Sequence, residues 1–188
     1  MQVDKNNPSA EWIEHLRRQF PCEPEVDRIL TRKMRRRGGP CYSPVSLETL
    51  IKGTESLIRA SVSDPFEISQ ARWLSGGASK LQMAFSLTWN RPGIGRETTP
   101  MVLRMEPAES IVETSRLREF QLLNAFKNDV PVPEAFWVDS EGQHLPYPAM
   151  ITGFCAGVTK PSSSKSMTSG MGTYIAPEWP LSRPVPNH

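Results

Sequence analysis

The amino-acid sequence predicts an α+β protein, in which a helical N-terminal region precedes an antiparallel sheet of about five strands carrying one helix. Three observations support this fold class. Apolar residues recur at helical spacing within residues 1–66. Residues 67–157 alternate apolar and polar side chains between glycine- and proline-containing turns, in the order three strands, one helix, two strands. Residues 158–188 are rich in serine, proline and glycine without apolar periodicity, which predicts a linker or disordered tail.

Three helices are predicted in the N-terminal region, over residues 9–20, 24–37 and 46–60. Ser9 is a favourable N-cap for the first helix, and apolar residues follow it at intervals of three and four. The second helix ends in the basic run Arg32 to Arg37, before a Gly-Gly-Pro breaker. Such a run is typical of a solvated helix end that complements the helix dipole, or of an arm that contacts nucleic-acid phosphates.

The clearest strand spans residues 81–89, where five apolar side chains alternate with four others. Strands predicted at 67–74 and 101–105 flank it, so the three form a meander. Ser110 and Glu113 have the spacing of a capping box, which predicts a helix from there to about Lys127. Two further strands are predicted at 134–138 and 148–154.

Composition limits the classes of partner and compartment. The net charge is +2, from 22 basic and 20 acidic side chains, so no global field favours nucleic acid or an anionic membrane. The three cysteines are widely spaced and predict free thiols in a reducing compartment. No apolar run approaches the roughly 18 residues of a membrane span. We therefore expect a soluble, cytoplasmic protein.

The loop from Ser75 to Lys80 joins the first two predicted strands and contains Gly76 and Gly77. Glycines allow backbone N–H groups to approach anionic oxygens closely, so the loop can form a phosphate cradle. A Gly-Gly pair between two strands is equally typical of an ordinary hairpin turn. The sequence of the loop alone is compatible with both interpretations.

Two charged residues lie in apolar surroundings and need partners. Arg104 is flanked by apolar residues in a strand, and Glu119 falls within the apolar stripe formed by Val112, Leu123 and Phe126 on the predicted helix. An ion pair between Arg104 and Glu119 would satisfy both and leave guanidinium donors for a nucleotide phosphate. Alternatively, Glu119 bonds Arg116 on its own helix while Arg104 reaches water.

Taken together, these features resemble the N-terminal lobe of the aminoglycoside phosphotransferase-like family of kinase-fold enzymes. The resemblance covers about residues 67–157. It rests on the following segments: Leu74-Ser75-Gly76-Gly77-Ala78-Ser79-Lys80, Val102-Leu103-Arg104, Leu117-Arg118-Glu119-Phe120, Val130-Pro131-Val132-Pro133 and Pro148-Ala149-Met150-Ile151-Thr152-Gly153-Phe154. One departure is Arg104, where the better-studied members have lysine.

The resemblance implies ATP as the cofactor, with Mg²⁺ required by the full-length family enzymes. It also implies three groups of nucleotide-binding residues. Arg104 is the strand cation and Glu119 its helix partner. The nucleotide-phosphate loop comprises Ser75, Gly76, Gly77, Ala78, Ser79 and Lys80. The hinge segment facing the adenine comprises Met150, Ile151, Thr152, Gly153 and Phe154.

The family's catalytic loop and magnesium-binding aspartate have no counterpart here, because no aspartate follows Asp139. We therefore predict no catalytic or metal-binding residues, an absent C-terminal lobe, and a truncated or frame-shifted product whose acceptor substrate is unknown. The expected function is the ATP-binding part of a small-molecule kinase that is inactive alone. The alternative is a noncatalytic nucleotide-sensing or protein-interaction module. We also expect dimerisation through an exposed lobe interface.

Overall fold

The computed structural model describes residue 4 and residues 6–39, 44–74, 80–107 and 114–155. One compact unit spans Met1–Phe154, and Cys155–His188 form a separate unit. Among the described residues, four helices and five strands form an α+β fold. In chain order these are α1 (Ala10–Gln19), α2 (Pro24–Arg36), α3 (Leu47–Arg59), β1 (Glu67–Trp73), β2 (Leu81–Arg91), β3 (Gly95–Met105), α4 (Arg116–Phe126), β4 (Ala135–Asp139) and β5 (Ala149–Gly153).

The three N-terminal helices begin within one residue of their predicted starts, and each has a side-chain cap. The Ser9 hydroxyl accepts a hydrogen bond from the backbone N–H of Trp12, and the Ser46 hydroxyl accepts one from Thr49. The Glu23 carboxylate does the same for α2, ahead of Pro24 at the first helical position. The predicted helices are therefore confirmed, with ends that differ by about one residue. None of the helices within the described ranges is long and apolar enough to cross a membrane.

The five strands form one antiparallel sheet in the order β1-β2-β3-β5-β4. The predicted meander of β1, β2 and β3 is confirmed, as is the order of three strands, one helix and two strands. β3 begins earlier than predicted, at Gly95, because the β2–β3 hairpin continues to a turn over residues 92–94. Gly93 and Gly95 take positive φ values of 77° and 100°, which glycine adopts without strain.

The core lies between α3 and one face of the sheet. Alternate residues of a strand point to opposite faces, so one set from β2, β3 and β5 packs against α3. Leu50 and Ile58 of α3 are fully buried there. The sheet contributes Met83, Phe85, Leu87, Trp89, Met101, Leu103, Met105, Ala149 and Ile151 to the same cluster.

The β4–β5 connection is fastened to α3. The buried Asp139 carboxylate accepts hydrogen bonds of 2.8–2.9 Å from the backbone N–H groups of residues 143–145. Leu145 is buried in the core, and a Cβ added to Gly53 of α3 would lie 2.8 Å from the His144 carbonyl oxygen. Only glycine allows α3 to approach the connection this closely.

The prediction for α4 needs two corrections. The helix begins at Arg116, with the Ser115 hydroxyl accepting from Arg118 N–H at 3.1 Å, and residues 114–115 are not helical. The predicted start at Ser110 is therefore wrong, and the proposed capping box lies outside the described residues. The apolar stripe is also wrong at Phe126, whose residue surface is 49% exposed. α4 is held at its N-terminal end by charged groups instead.

Candidate functional site

The end of the sheet where β2 begins and β3 ends carries a group of interacting polar side chains, here called the charged cluster. Of the predicted phosphate-loop residues, Ser75 to Ser79 lie outside the described part of the chain, and Lys80 lies in this cluster. Arg104 on β3 and Glu119 on α4 belong to it as well. Its members are Lys80, Arg104, Glu106, Thr114, Arg116 and Glu119.

The predicted pair of Arg104 and Glu119 is present. Arg104 lies opposite Gln82 of β2 and Met150 of β5, on the sheet face turned away from α3. Its Nη1 donates to Glu119 Oε1 at 2.5 Å. The alternative contact is present too, because Arg116 Nη2 lies 2.7 Å from Glu119 Oε2. Glu119 therefore bridges two arginines, and the alternative is present only in its Arg116 contact, because Arg104 pairs with Glu119.

Glu106 and the buried position of Arg116 were not foreseen from the sequence. The Glu106 carboxylate pairs with Lys80 Nζ, lies 3.2 Å from Arg116 Nη2 and accepts from the Thr114 hydroxyl at 3.0 Å. The Glu106 and Arg116 side chains are only 2% and 1% exposed. The β2–β3 register pairs Leu81 with Met105, so Lys80 and Glu106 are the next opposed residues. Extending the predicted meander by one residue would have found them.

Solvent exposure differs across the cluster, from the buried Glu106 and Arg116 to the partly exposed Arg104. Three cations and two carboxylates leave it one positive charge in excess. The Arg104 side chain is 33% exposed, and its buried Nε has no hydrogen-bond partner within the described ranges. Glu119 binds one end of the guanidinium and thereby orients it. The remaining N–H donors of Arg104 have no second carboxylate partner among the described residues. Such an arrangement can bind an oxyanion at Arg104.

The predicted adenine-facing segment divides between the two faces of the sheet. Met150 and Thr152 lie on the Arg104 face, opposite Arg104 and Val102. Ile151 lies on the other face and belongs to the core cluster that includes residues of α3, and the role of the segment beside an adenine stays a prediction. Gly153 and Phe154 donate backbone hydrogen bonds to the Glu134 and Pro100 carbonyl oxygens, at 2.8 and 2.9 Å. These bonds fix the backbone path at the end of β5.

α2 contacts the N-terminal end of α4 beside the cluster. The Ser115 hydroxyl, which caps α4, donates to Glu25 Oε1 at 2.6 Å, and Arg118 pairs with Glu23. Two 2.8 Å hydrogen bonds from Arg28 and the hydrogen bond from the Ser115 hydroxyl together lower the pKa of Glu25 from 4.5 to about 2. Glu25 thus stays ionised at neutral pH and joins the two helices.

The stabilisation from Glu25 should depend on pH. Because its pKa is lower in the folded chain, the contribution is complete above pH 4.5 and is lost as the pH falls towards about 2. We expect the Tm difference between wild type and Glu25→Gln to be largest at neutral pH and to shrink through this acidic window. Thermal melts monitored by circular dichroism across the window would measure it. A Tm difference that stays constant with pH would contradict the role of the Glu25 carboxylate.

Other potential centres are few in the described part of the chain. There, no group of three or more His, Cys, Asp or Glu side chains is arranged to hold a metal ion. Cys22 and Cys155 are free and exposed, as expected, while Cys41 lies outside the described residues. No protein-family model matches this chain, and no curated protein matches it significantly. Its function is therefore inferred from the geometry of the cluster and from the sequence motifs.

Proposed function

We propose that this chain is the ATP-binding part of a small-molecule phosphotransferase similar to the aminoglycoside phosphotransferase-like family. The observation that carries the proposal is the Arg104–Glu119 ion pair, which joins β3 to α4 on the sheet face opposite the core. A strand cation held by a helix glutamate is how kinase-fold enzymes direct a positive charge at the nucleotide phosphates. The strand order and the position of Lys80 directly after the glycine loop support the same assignment.

In this proposal each part of the cluster has a separate task. Arg104 binds phosphate oxygens through the donors that Glu119 leaves free. Glu119 fixes the direction of the guanidinium, while Arg116 holds the other carboxylate oxygen at 2.7 Å. Met150 and Thr152 lie on the same face of the sheet, where they are buried beneath the proposed site. Mg²⁺, when bound with ATP, would neutralise phosphate charge.

The proposal assigns nucleotide binding, and not complete catalysis, to the described residues. Phosphoryl transfer needs an aspartate to accept the substrate proton and acidic ligands for Mg²⁺. Asp139 is the last aspartate of the sequence, and its carboxylate is already occupied by three backbone N–H groups in the β4–β5 connection. We propose that another polypeptide segment supplies these acidic groups and the acceptor site.

Titration calorimetry with Mg-ATP tests the proposal. Wild type is expected to bind weakly, and Arg104→Ala to lose at least about tenfold in affinity, because charge-assisted phosphate contacts are removed. Arg96→Ala is the matched control, since Arg96 is an exposed arginine near the other end of the same strand. Equal binding heats for wild type and Arg104→Ala would exclude the nucleotide role of this arginine.

A noncatalytic protein-interaction module is the second candidate. The observation in its favour is the row of exposed apolar side chains on α2 and α4, Val26, Leu30, Leu122 and Phe126. Exposed apolar patches of this kind often mark interfaces between proteins. A defined oligomer in light scattering, together with no Mg-ATP binding, would favour this candidate over the first.

A further inference from the structure

One face of α2 carries a concentration of arginines that the nucleotide proposal does not use. Arg28, Arg32, Arg35 and Arg36 are spaced by four, three and one residues, so they lie on the same side of the helix. Like charges at these spacings repel one another. The dipole of α2 favours cations in its last turn, but it does not explain arginines that begin two turns earlier.

These arginines line a pocket with a volume of about 540 Å³, and α1 closes one side of it. Arg17 of α1 contributes its guanidinium to the lining, together with Asp27 and Thr31 of α2. Arg17 binds Asp27 with hydrogen bonds of 2.6 and 2.9 Å, so the only carboxylate of the lining is already neutralised. The remaining charge of the lining is positive.

The arginines differ in how well they are compensated. Arg28 bonds Glu25 and Glu141, whereas Arg32 approaches, among the described carboxylates, only Glu141, at 3.9 Å. Arg35 and Arg36 are exposed and form no ion pair with the residues that the structure describes. Two to three guanidinium groups thus border the pocket without a full counter-charge.

A buried polar group lies in the same pocket. Thr31 is 6% exposed and belongs to the lining, and its hydroxyl has no hydrogen-bond partner among the described residues. A buried hydroxyl without a partner costs stability, and a donor beside uncompensated arginines suits an oxyanion. A helix end that is merely solvated does not need a pocket beside it or this hydroxyl.

We propose that the pocket bordered by Arg32, Arg35 and Arg36 is a binding site for a small ligand bearing several phosphate groups. Guanidinium forks match phosphate oxygens in pairs, and a pocket of this size holds a molecule of a few phosphate units. The net charge of +2 for the whole chain argues for a small anion over an extended nucleic acid. The site is separate from the nucleotide site at Arg104.

Calorimetry with inorganic tripolyphosphate is the test, performed on wild type and repeated on Arg104→Ala, which removes binding at the proposed nucleotide site. Both proteins are expected to bind, and Arg35→Gln/Arg36→Gln is expected to raise the Kd at least about tenfold. Arg96→Gln/Lys127→Gln is the matched control, because it removes two exposed positive charges elsewhere. The control should change the Kd by no more than about twofold.

Three outcomes would overturn the proposal. The first is an absence of tripolyphosphate binding by the Arg104→Ala protein. The second is an equal loss of tripolyphosphate affinity in the two double variants. The third is binding of a short DNA duplex that is tighter than tripolyphosphate binding and shows the same dependence on Arg35 and Arg36. Neither substituted arginine is buried, and thermal melts would verify that the variants remain folded. Failure of the Mg-ATP experiment with retained tripolyphosphate binding would remove the nucleotide proposal alone.

Discussion

Replacement of Glu106 with glutamine is expected to lower the free energy of unfolding by about 3–5 kcal/mol, the usual cost of breaking a buried ion pair. The Glu106 side chain is 2% exposed and is paired with Lys80 and Arg116, which are 12% and 1% exposed. Without the carboxylate, two buried cations face each other in a medium of low dielectric constant. Urea unfolding at neutral pH would measure the loss without adding salt.

Glu97→Gln is the matched control for this measurement. Glu97 lies on β3, the strand that ends directly before Glu106, and pairs with Arg91 at 2.9 Å, but its side chain is 30% exposed. Ion pairs nearer the surface typically contribute about 0–1 kcal/mol. A similar small loss in both variants would show that the buried part of the cluster is not important for stability.

Leu50→Ala is expected to lower the free energy of unfolding by about 2–5 kcal/mol. Leu50 of α3 is fully buried in the core cluster that also contains Met83 and Leu103 of the sheet, and truncation would leave a cavity there. The same urea experiment measures this loss. Glu55→Ala, at an exposed position of the same helix, should change the stability by no more than about 0.5 kcal/mol.

The size of the Leu50 effect also bears on how the chain is organised. The sequence places α3 in a helical region ending at residue 66, apart from the sheet. In the structure α3 provides one layer of the core. A loss of less than about 1 kcal/mol in Leu50→Ala would contradict this arrangement, since it would mean that the helix packs only loosely on the sheet.

Secondary structure could be predicted well where local chemistry dominates. The serine caps at Ser9 and Ser46 and the alternation of residues 81–89 are local signals, and each specified its element. The pairing of Arg104 with Glu119 was also predictable, because two charges in apolar surroundings need each other. The roles that the family resemblance assigns to these residues remain predictions.

The errors arose where tertiary contacts decide the outcome. The start of α4 moves to Arg116 because Ser115 caps the helix and also bonds Glu25 of α2, which a local capping motif does not reveal. The burial of Ile151 was also not foreseen, because residues 150–154 were treated as one continuous segment. In a strand alternate residues face opposite sides, and the core takes Ile151. Glu106 was missed because the predicted third strand ended one residue before it, so its position opposite Lys80 was not considered.

The turn between β2 and β3 has a practical consequence for experiments on this protein. Ile94 is exposed there, and a Cβ added to Gly93 or Gly95 would meet no atom within 4 Å. Short insertions at such tips usually leave the fold intact. The turn lies at the end of the β2–β3 hairpin remote from Lys80 and Glu106. A fluorophore or a peptide tag placed at Ile94 would therefore label the protein with little disturbance of the charged cluster, once Cys22, Cys41 and Cys155 are replaced.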